Sequence, residues 1–225
     1  MSTAKAILAG AQRWELLRKR RAKETLRSVF RVDDRYVAKK FEIPLAARRY
    51  RRPWLAEDAC LRRLDGRGAP HSFGWCEETV GDRRVVWLVK EYVVGAPVET
   101  FAAADLPAAA RLLAGVHAQA VVTDDASAGN FLRTPDGQME FLDFGRARPY
   151  RRAGWRFDAA IGCELAKLRR EGFRWDAALW RAFRPLYFEA LGASRGRQIR
   201  IRLACAAAVA LRQARKTLQG KNPRS

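Results

Sequence analysis

The chain has 225 residues, 48% hydrophobic and 30% charged, with a formal net charge of +20. This suffices for one large domain or two small lobes around a sizeable core, and no apolar run is long enough to span a bilayer. Four scattered cysteines and two histidines argue against a disulfide framework or a zinc cluster.

The N-terminal stretch lacks the charge order of a secretory signal, so a cytoplasmic protein is expected. The charge implies an anionic partner: nucleic acid, an anionic membrane face or a phosphorylated substrate. It is partly clustered, at residues 18–21 with Lys23, at Arg48, Arg49, Arg51 and Arg52, and after Glu189, where no acid occurs but Arg195, Arg197, Arg200, Arg202, Arg212, Arg215, Lys216, Lys221 and Arg224 do.

Residues 5–22 read as a basic amphipathic helix, with Leu8, Ala11, Trp14 and Leu17 along one face. Residues 26–41 read as two strands around Asp33-Asp34. Pro53 opens a helix that runs to about Leu64, where Asp65-Gly66-Arg67-Gly68 ends it. Residues 73–76 and 84–91 read as further strands, and residues 93–97 as a linker. Helices follow at 105–118, 157–170, 175–191 and 194–218. Strands with one main helix, then mostly helices, predict a two-lobed α+β protein. Its lobes are residues 1–93 and 94–225, with a cleft between them.

The most informative segment is residues 121–145, VVTDDASAGNFLRTPDGQMEFLDFG. Asp125 stands five residues before Asn130, and Phe131-Leu132 begins a short strand. Thr134-Pro135-Asp136-Gly137 is a strong turn signal, and residues 139–142 run back as a second strand. Pairing these strands brings Asn130 close to Asp143, two hard oxygen donors suited to Mg²⁺ on nucleotide phosphates. Asp125 lies before them, within reach of an incoming hydroxyl. Asp124 is the alternative register, although the spacing to Asn130 favours Asp125.

Such a site needs a cation on the phosphates. In YVAKKF, alternation puts Val37, Lys39 and Phe41 on one strand face, with Ala38 and Lys40 on the other. An ammonium on the apolar face needs a partner. Glu57 shares a helix face with Leu61 and Leu64 and supplies it; Lys40 and Asp58 are the alternatives and should be solvated.

The D-x-x-x-x-N and DFG pattern resembles the catalytic loop and metal-binding segment of protein-kinase-like phosphotransferases. With AEDACLRRLDGRGAPHSFGW, WLVKEYVVGAPV and LLAGVHAQAVV, residues 25–150 resemble the bacterial lipopolysaccharide core kinases, which phosphorylate Kdo or heptose. The resemblance implies ATP- and Mg²⁺-dependent phosphorylation of an inner-core sugar hydroxyl at the inner face of the inner membrane. It gives Lys39 the α/β-phosphates with Glu57 orienting it, and Glu91 to Val93 a hinge whose backbone bonds adenine. It assigns the acceptor proton to Asp125 and Mg²⁺ to Asn130 and Asp143.

Some features depart from that pattern. Thr123-Asp124 replaces the usual His-Arg, so no activation-segment phosphate would find its counter-charge there. No Gly-rich loop precedes Val29; KETLRS, with Lys23, Thr25, Arg27 and Ser28, either covers the phosphates or is an ordinary basic turn. No A-P-E element follows DFG, which argues for a non-peptide acceptor. His117 reads as a structural histidine bonding loop backbone. Asp158 reads either as a brace for the catalytic loop or as a helix N-terminal charge. The seven tryptophans read as core and lobe packing rather than as a sugar-stacking platform, and Trp155, just after DFG, is the one to watch for stacking. Basic helices at both ends are expected to dock on the anionic membrane face or on the phosphorylated glycolipid. A nucleic-acid-associated pseudokinase is the other-class alternative, disfavoured because aromatic-rich RNA-binding motifs and zinc fingers are missing. A RIO-like protein kinase or another small-molecule kinase keeps the fold and changes the acceptor.

Overall fold

The computed structural model describes residues 2–22, 24–47 and 50–220. The chain is mixed α and β, and its contacts divide it into two compact units, Met1–Gly95 and Ala96–Ser225. The first carries a five-stranded antiparallel sheet and the second most of the helices.

In the first unit, α1 (Thr3–Gly10) precedes β1 (Trp14–Ala22), β2 (Thr25–Val32), β3 (Tyr36–Pro44), α2 (Pro53–Leu64), β4 (Ser72–Val80) and β5 (Arg83–Glu91). The sheet order is β1-β2-β3-β5-β4. Asp33 and Asp34 both have positive φ, +49° and +55°, the geometry that matches a tight turn to the twist of its strands. Phe41 and Ile43 of β3, Val86 and Leu88 of β5 and Trp54 of α2 form a buried core. Pro53 occupies the first turn of α2, where its missing N–H costs nothing. Asp65 ends the helix in the left-handed region, its N–H on Leu61 O at 2.8 Å.

The continuous basic helix expected at 5–22 does not form. The chain is helical only to Gly10, and residues 14–22 are an edge strand paired with β2. The Asp33 carboxylate explains the break: it accepts the N–H groups of Gln12 at 3.1 Å and Arg13 at 2.7 Å, fixing an extended entry into β1. Trp14 then packs edge-on against Phe30 and Trp87, at 5.6 and 5.5 Å. Arg18, Lys19, Arg20 and Arg21 are exposed along this edge. Lys23, Arg48, Arg49, Lys221 and Arg224 of the expected basic clusters lie outside the described residues.

In the second unit, β6 (Ala96–Pro97), β8 (Phe131–Arg133) and β9 (Met139–Phe141) form one small sheet. β7 (Val121–Val122) and β10 (Arg148–Pro149) form another. The helices are α3 (Leu106–Ala118), α4 (Trp155–Lys167), α5 (Ala177–Ala190) and α6 (Arg195–Gly220). The helix expected at 157–170 changes character at its end, where Leu168–Gly172 is a π-helical turn closed by Phe173 N–H on Leu168 O at 2.9 Å. Phe101, Phe131, Phe141 and Phe144 pack edge-to-face in series, with centroids 5.1–5.2 Å apart. Phe144, the middle residue of DFG, is fully buried. Among the described residues no helix is long and apolar enough to cross a membrane.

α4 and α6 meet through Gly162. A Cβ there would lie 2.5 Å from Ala204 Cβ, 2.8 Å from Cys205 N and 2.8 Å from Ile201 O. Asp158, buried in the first turn of α4, accepts from Arg197 Nε and Arg200 Nε of α6, each at 2.9 Å. It is therefore a helix-terminal charge that clamps α6, and it makes no bond to the loop at 123–130. Gly162→Ala should force the two helices apart and destabilise the protein by about 1–3 kcal/mol, read as a lower urea midpoint at unchanged m-value.

Candidate functional site

The first unit brings Lys39 and Glu57 together. Lys39 Nζ donates to both carboxylate oxygens, at 2.8 and 2.9 Å, and Glu57 is 1% exposed. Lys90 of β5, itself 3% exposed, donates to Glu57 Oε1 at 2.9 Å. β3 and β5 are antiparallel, with Val37 opposite Lys90 and Lys39 opposite Leu88. Both lysines therefore share the sheet face that α2 covers. Charges this buried persist only when paired and hydrogen-bonded. Lys90 was not anticipated, yet alternation along V-W-L-V-K carries the signal.

The alternatives are engaged elsewhere. Lys40, on the other sheet face, pairs with Glu42 at 2.5 Å and stands 5.4 Å over the Trp87 ring. Asp58 is not solvated as expected. It is 8% exposed, accepting from Arg62 Nε at 2.9 Å and Ser72 Oγ at 2.6 Å. Glu91 closes β5, its N–H on His71 O at 2.9 Å and its carboxylate accepting His71 N–H at 3.1 Å. Val93 follows the strand, half-buried. Of KETLRS, Thr25 to Ser28 open β2, where Arg27 lies opposite Phe41 and so on the Lys39 face.

In the second unit one loop and its hairpin organise Asp125, Asn130 and Asp143. Phe131 pairs with Phe141 and Arg133 with Met139, and the turn closes through Gly137 N–H on Thr134 O at 3.0 Å. Asn130 Nδ2 donates to Asp125 O at 2.7 Å, leaving its amide oxygen as an acceptor. Leu142 N–H donates to Asn130 O at 2.9 Å, which sets Asp143 beside Asn130 in the chain pairing. Gly145 N–H caps Asp143 Oδ1 at 3.1 Å. Among the described residues no cluster of three or more His, Cys, Asp or Glu is poised for a metal. The hard oxygen donors that would hold Mg²⁺ here are Asn130 and Asp143, and that ion keeps most of its positions for water and phosphate oxygens.

The doubled aspartate divides its roles. Asp124, in the left-handed region at φ +55°, takes Arg148 through two contacts at 2.7 and 3.0 Å. The Asp125 carboxylate instead receives Lys167 Nζ from the end of α4, and the same ammonium reaches Asp124 O at 3.3 Å. Lys167 was not anticipated; nothing in linear spacing joins it to a loop more than forty residues away.

Behind the loop lies a buried polar network. Glu164, one helical turn before Lys167, accepts Thr123 N–H at 3.1 Å, the Thr123 hydroxyl, and His117 Nε2 at 2.8 Å. His117 Nδ1 meets Tyr187 Oη at 2.6 Å. Burial, reinforced by the nearby Glu164 carboxylate, pushes the Tyr187 phenol well above its ordinary pKa, so it remains a hydroxyl donor. His117 is structural, but its partners are side chains; Glu164 makes the backbone bond expected of it. Trp155 is 69% exposed with Arg156 5.2 Å from its ring.

No protein-family model and no curated protein matches the chain.

The hairpin has its own anchor. Asp105, just before α3, holds Arg133 of β8 through two contacts of 2.7 Å and also accepts Ala102 N–H at 2.8 Å. The Arg133 hydrogen bonds hold the Asp105 carboxyl below its ordinary pKa. A folded pKa lowered in this way gives stability that is present above the unfolded value and lost as pH falls through the folded one. Arg133→Gln should thus be less stable than wild type by a constant margin at neutral pH, with the gap closing as acidification passes below the ordinary carboxylate range, measured by urea unfolding as a function of pH.

Proposed function

We propose that the chain is an ATP- and Mg²⁺-dependent phosphotransferase with a two-lobed protein-kinase-like fold. Its acceptor is a sugar hydroxyl, of heptose or Kdo, in the lipopolysaccharide inner core. The observation that carries this reading is the loop and hairpin in which Asn130 bonds the Asp125 backbone at 2.7 Å and pairs with Leu142, the residue before Asp143, at 2.9 Å. The buried Lys39–Glu57 pair supports it, because a strand lysine oriented by a helix glutamate is the phosphate-binding arrangement such chemistry uses.

Each residue has a task. Lys39, held by Glu57, binds the α/β-phosphates, and Lys90 fixes Glu57 from the neighbouring strand. Glu91 to Val93 present backbone to adenine. Asn130 and Asp143 hold Mg²⁺, which when bound neutralises charge on the phosphates. Asp125 orients the acceptor hydroxyl and receives its proton late, since the loose transition state asks mainly for positioning and charge stabilisation. Lys167 fixes the Asp125 carboxylate and sets a cation where negative charge develops. The net charge of +20 and the exposed basic edge of β1 favour an anionic acceptor at the inner face of the inner membrane.

Purified protein with Mg²⁺, γ-labelled ATP and rough-core lipopolysaccharide tests the reading. Label should enter the glycolipid with wild type and not with Asp125→Asn, which keeps its Mg-ATP affinity; Asp143→Asn should lose Mg²⁺-dependent nucleotide binding. Wild-type turnover in either variant removes the site assignment. Mg-ATP binding without label in the glycolipid removes the acceptor alone, and protein, RNA and small-molecule acceptors are then compared. Lys167→Ala should lower kcat about 100-fold at unchanged ATP affinity. An unchanged kcat assigns Lys167 to structure only.

A further inference from the structure

α4, α5 and α6, with the π-helical turn after α4, line a half-open pocket of ≈ 340 Å³ in the second unit. Its wall includes Arg169, Arg184 and Arg202, the rings of Trp180 and Phe188, and Cys205, and it contains no carboxylate. The volume and the largely apolar wall with a few convergent polar groups match small-molecule sites.

The arginines make this more than a packing gap. Arg169 Nε and Arg184 Nε are buried and have no hydrogen-bond partner among the described residues. Their guanidinium carbons stand 5.9 and 5.8 Å from the Trp180 ring, and Arg202 stands 5.0 Å from Phe188. A ring face attracts the cation but leaves its in-plane N–H donors unsatisfied. Several cations around one pocket repel, and the wall offers them no carboxylate. A phosphate relieves that repulsion, and the outer N–H groups of guanidinium forks suit its geometry. Cys205 lines the same pocket, and burial pushes its thiol pKa up to about 11 against the lowering influence of Arg169 and Arg184.

The local backbone points the same way. Arg169 belongs to the π-helical turn, a distortion that recurs at functional sites. Its carbonyl accepts Trp175 N–H at 2.9 Å, and its guanidinium lies 5.4 Å from the Trp175 ring. Arg174 and Trp175 hold left-handed φ values of +49° and +68°. Such strain in non-glycine residues persists where the surroundings impose it, commonly around ligands.

We propose that this cavity binds an anion carried on an apolar body, a phosphate monoester of an aryl or alkyl group. Arg169, Arg184 and Arg202 take the phosphate, and Trp180 and Phe188 pack against the body. The site is independent of the phosphoryl-transfer reading and uses none of its residues.

Calorimetric titration of the full chain with 1-naphthyl phosphate, inorganic phosphate and 1-naphthol tests it. The ester should bind at least about tenfold tighter than either fragment. Arg169→Gln or Arg184→Gln should weaken it about tenfold, while Arg212→Gln, an exposed α6 control, leaves it unchanged. Equal losses in all three variants, or no preference for the ester, overturn the proposal. A readout on wild type alone guards against misfolded variants. The ester should slow alkylation of Cys205 by iodoacetamide, followed by peptide mass spectrometry, and leave the exposed Cys163 unaffected. An unaltered Cys205 rate also overturns the site. Protection by phosphatidic acid vesicles as well would identify the phosphate as a lipid headgroup; protection by the naphthyl ester alone would identify a soluble ester.

Discussion

Glu164 is the residue on which the second unit turns. Its carboxylate is 1% exposed, and it takes the amide and hydroxyl of Thr123 and the imidazole of His117. Those bonds join α4 to the loop that carries Asp125 and, through His117 and Tyr187, to α3 and α5. A buried carboxylate without such partners is strongly disfavoured, so the network is satisfied as a whole or fails as a whole. Lys167 stands three residues on, along the same helix face. The helix turn that anchors the loop also supplies the cation on Asp125.

What was legible in the chain followed local rules. Asp33-Asp34, Pro53, Asp65 and Pro135-Asp136-Gly137 each impose a backbone geometry on their own neighbourhood, and the elements they bound stand where spacing put them. The Lys39–Glu57 pair was also readable, because strand alternation and helix periodicity sort side chains into faces and the resemblance to the kinase V-A-I-K strand favours Lys39 over Lys40. The failure at residues 5–22 has the opposite character. Three-residue spacing of Leu8, Ala11, Trp14 and Leu17 suits a helix, but the Asp33 carboxylate and pairing with β2 override it, and neither is local. Lys167 and Glu164 escaped notice for the same reason: their importance exists only once α4 lies behind the loop.

The charge excess is distributed less simply than its clusters suggest. Arg197 and Arg200 hold Asp158, Arg133 holds Asp105, and Arg148 holds Asp124, so these guanidiniums act as internal fasteners. The N-terminal cluster is a strand edge rather than a helix. Charged side chains on such an edge suit a row of open backbone groups that must not pair indiscriminately. A count of arginines thus overstates the surface left to meet a partner. The comparison that matters is between arginines facing a carboxylate and those, such as Arg169 and Arg184, whose Nε faces none.

Phe144 has a consequence for the DFG backbone. The ring is fully buried and stacked edge-to-face on Phe141, 5.2 Å away, directly after Asp143. Swinging the segment outward would expose that ring at a cost of about 2–3 kcal/mol, which keeps such a conformer to on the order of one molecule in a hundred. The backbone at Asp143 is thus anchored by the ring beside it. The aromatic series that fills the interior of the second unit therefore ends in the segment that carries Asp143, so the backbone there is set by hydrophobic packing as well as by hydrogen bonds.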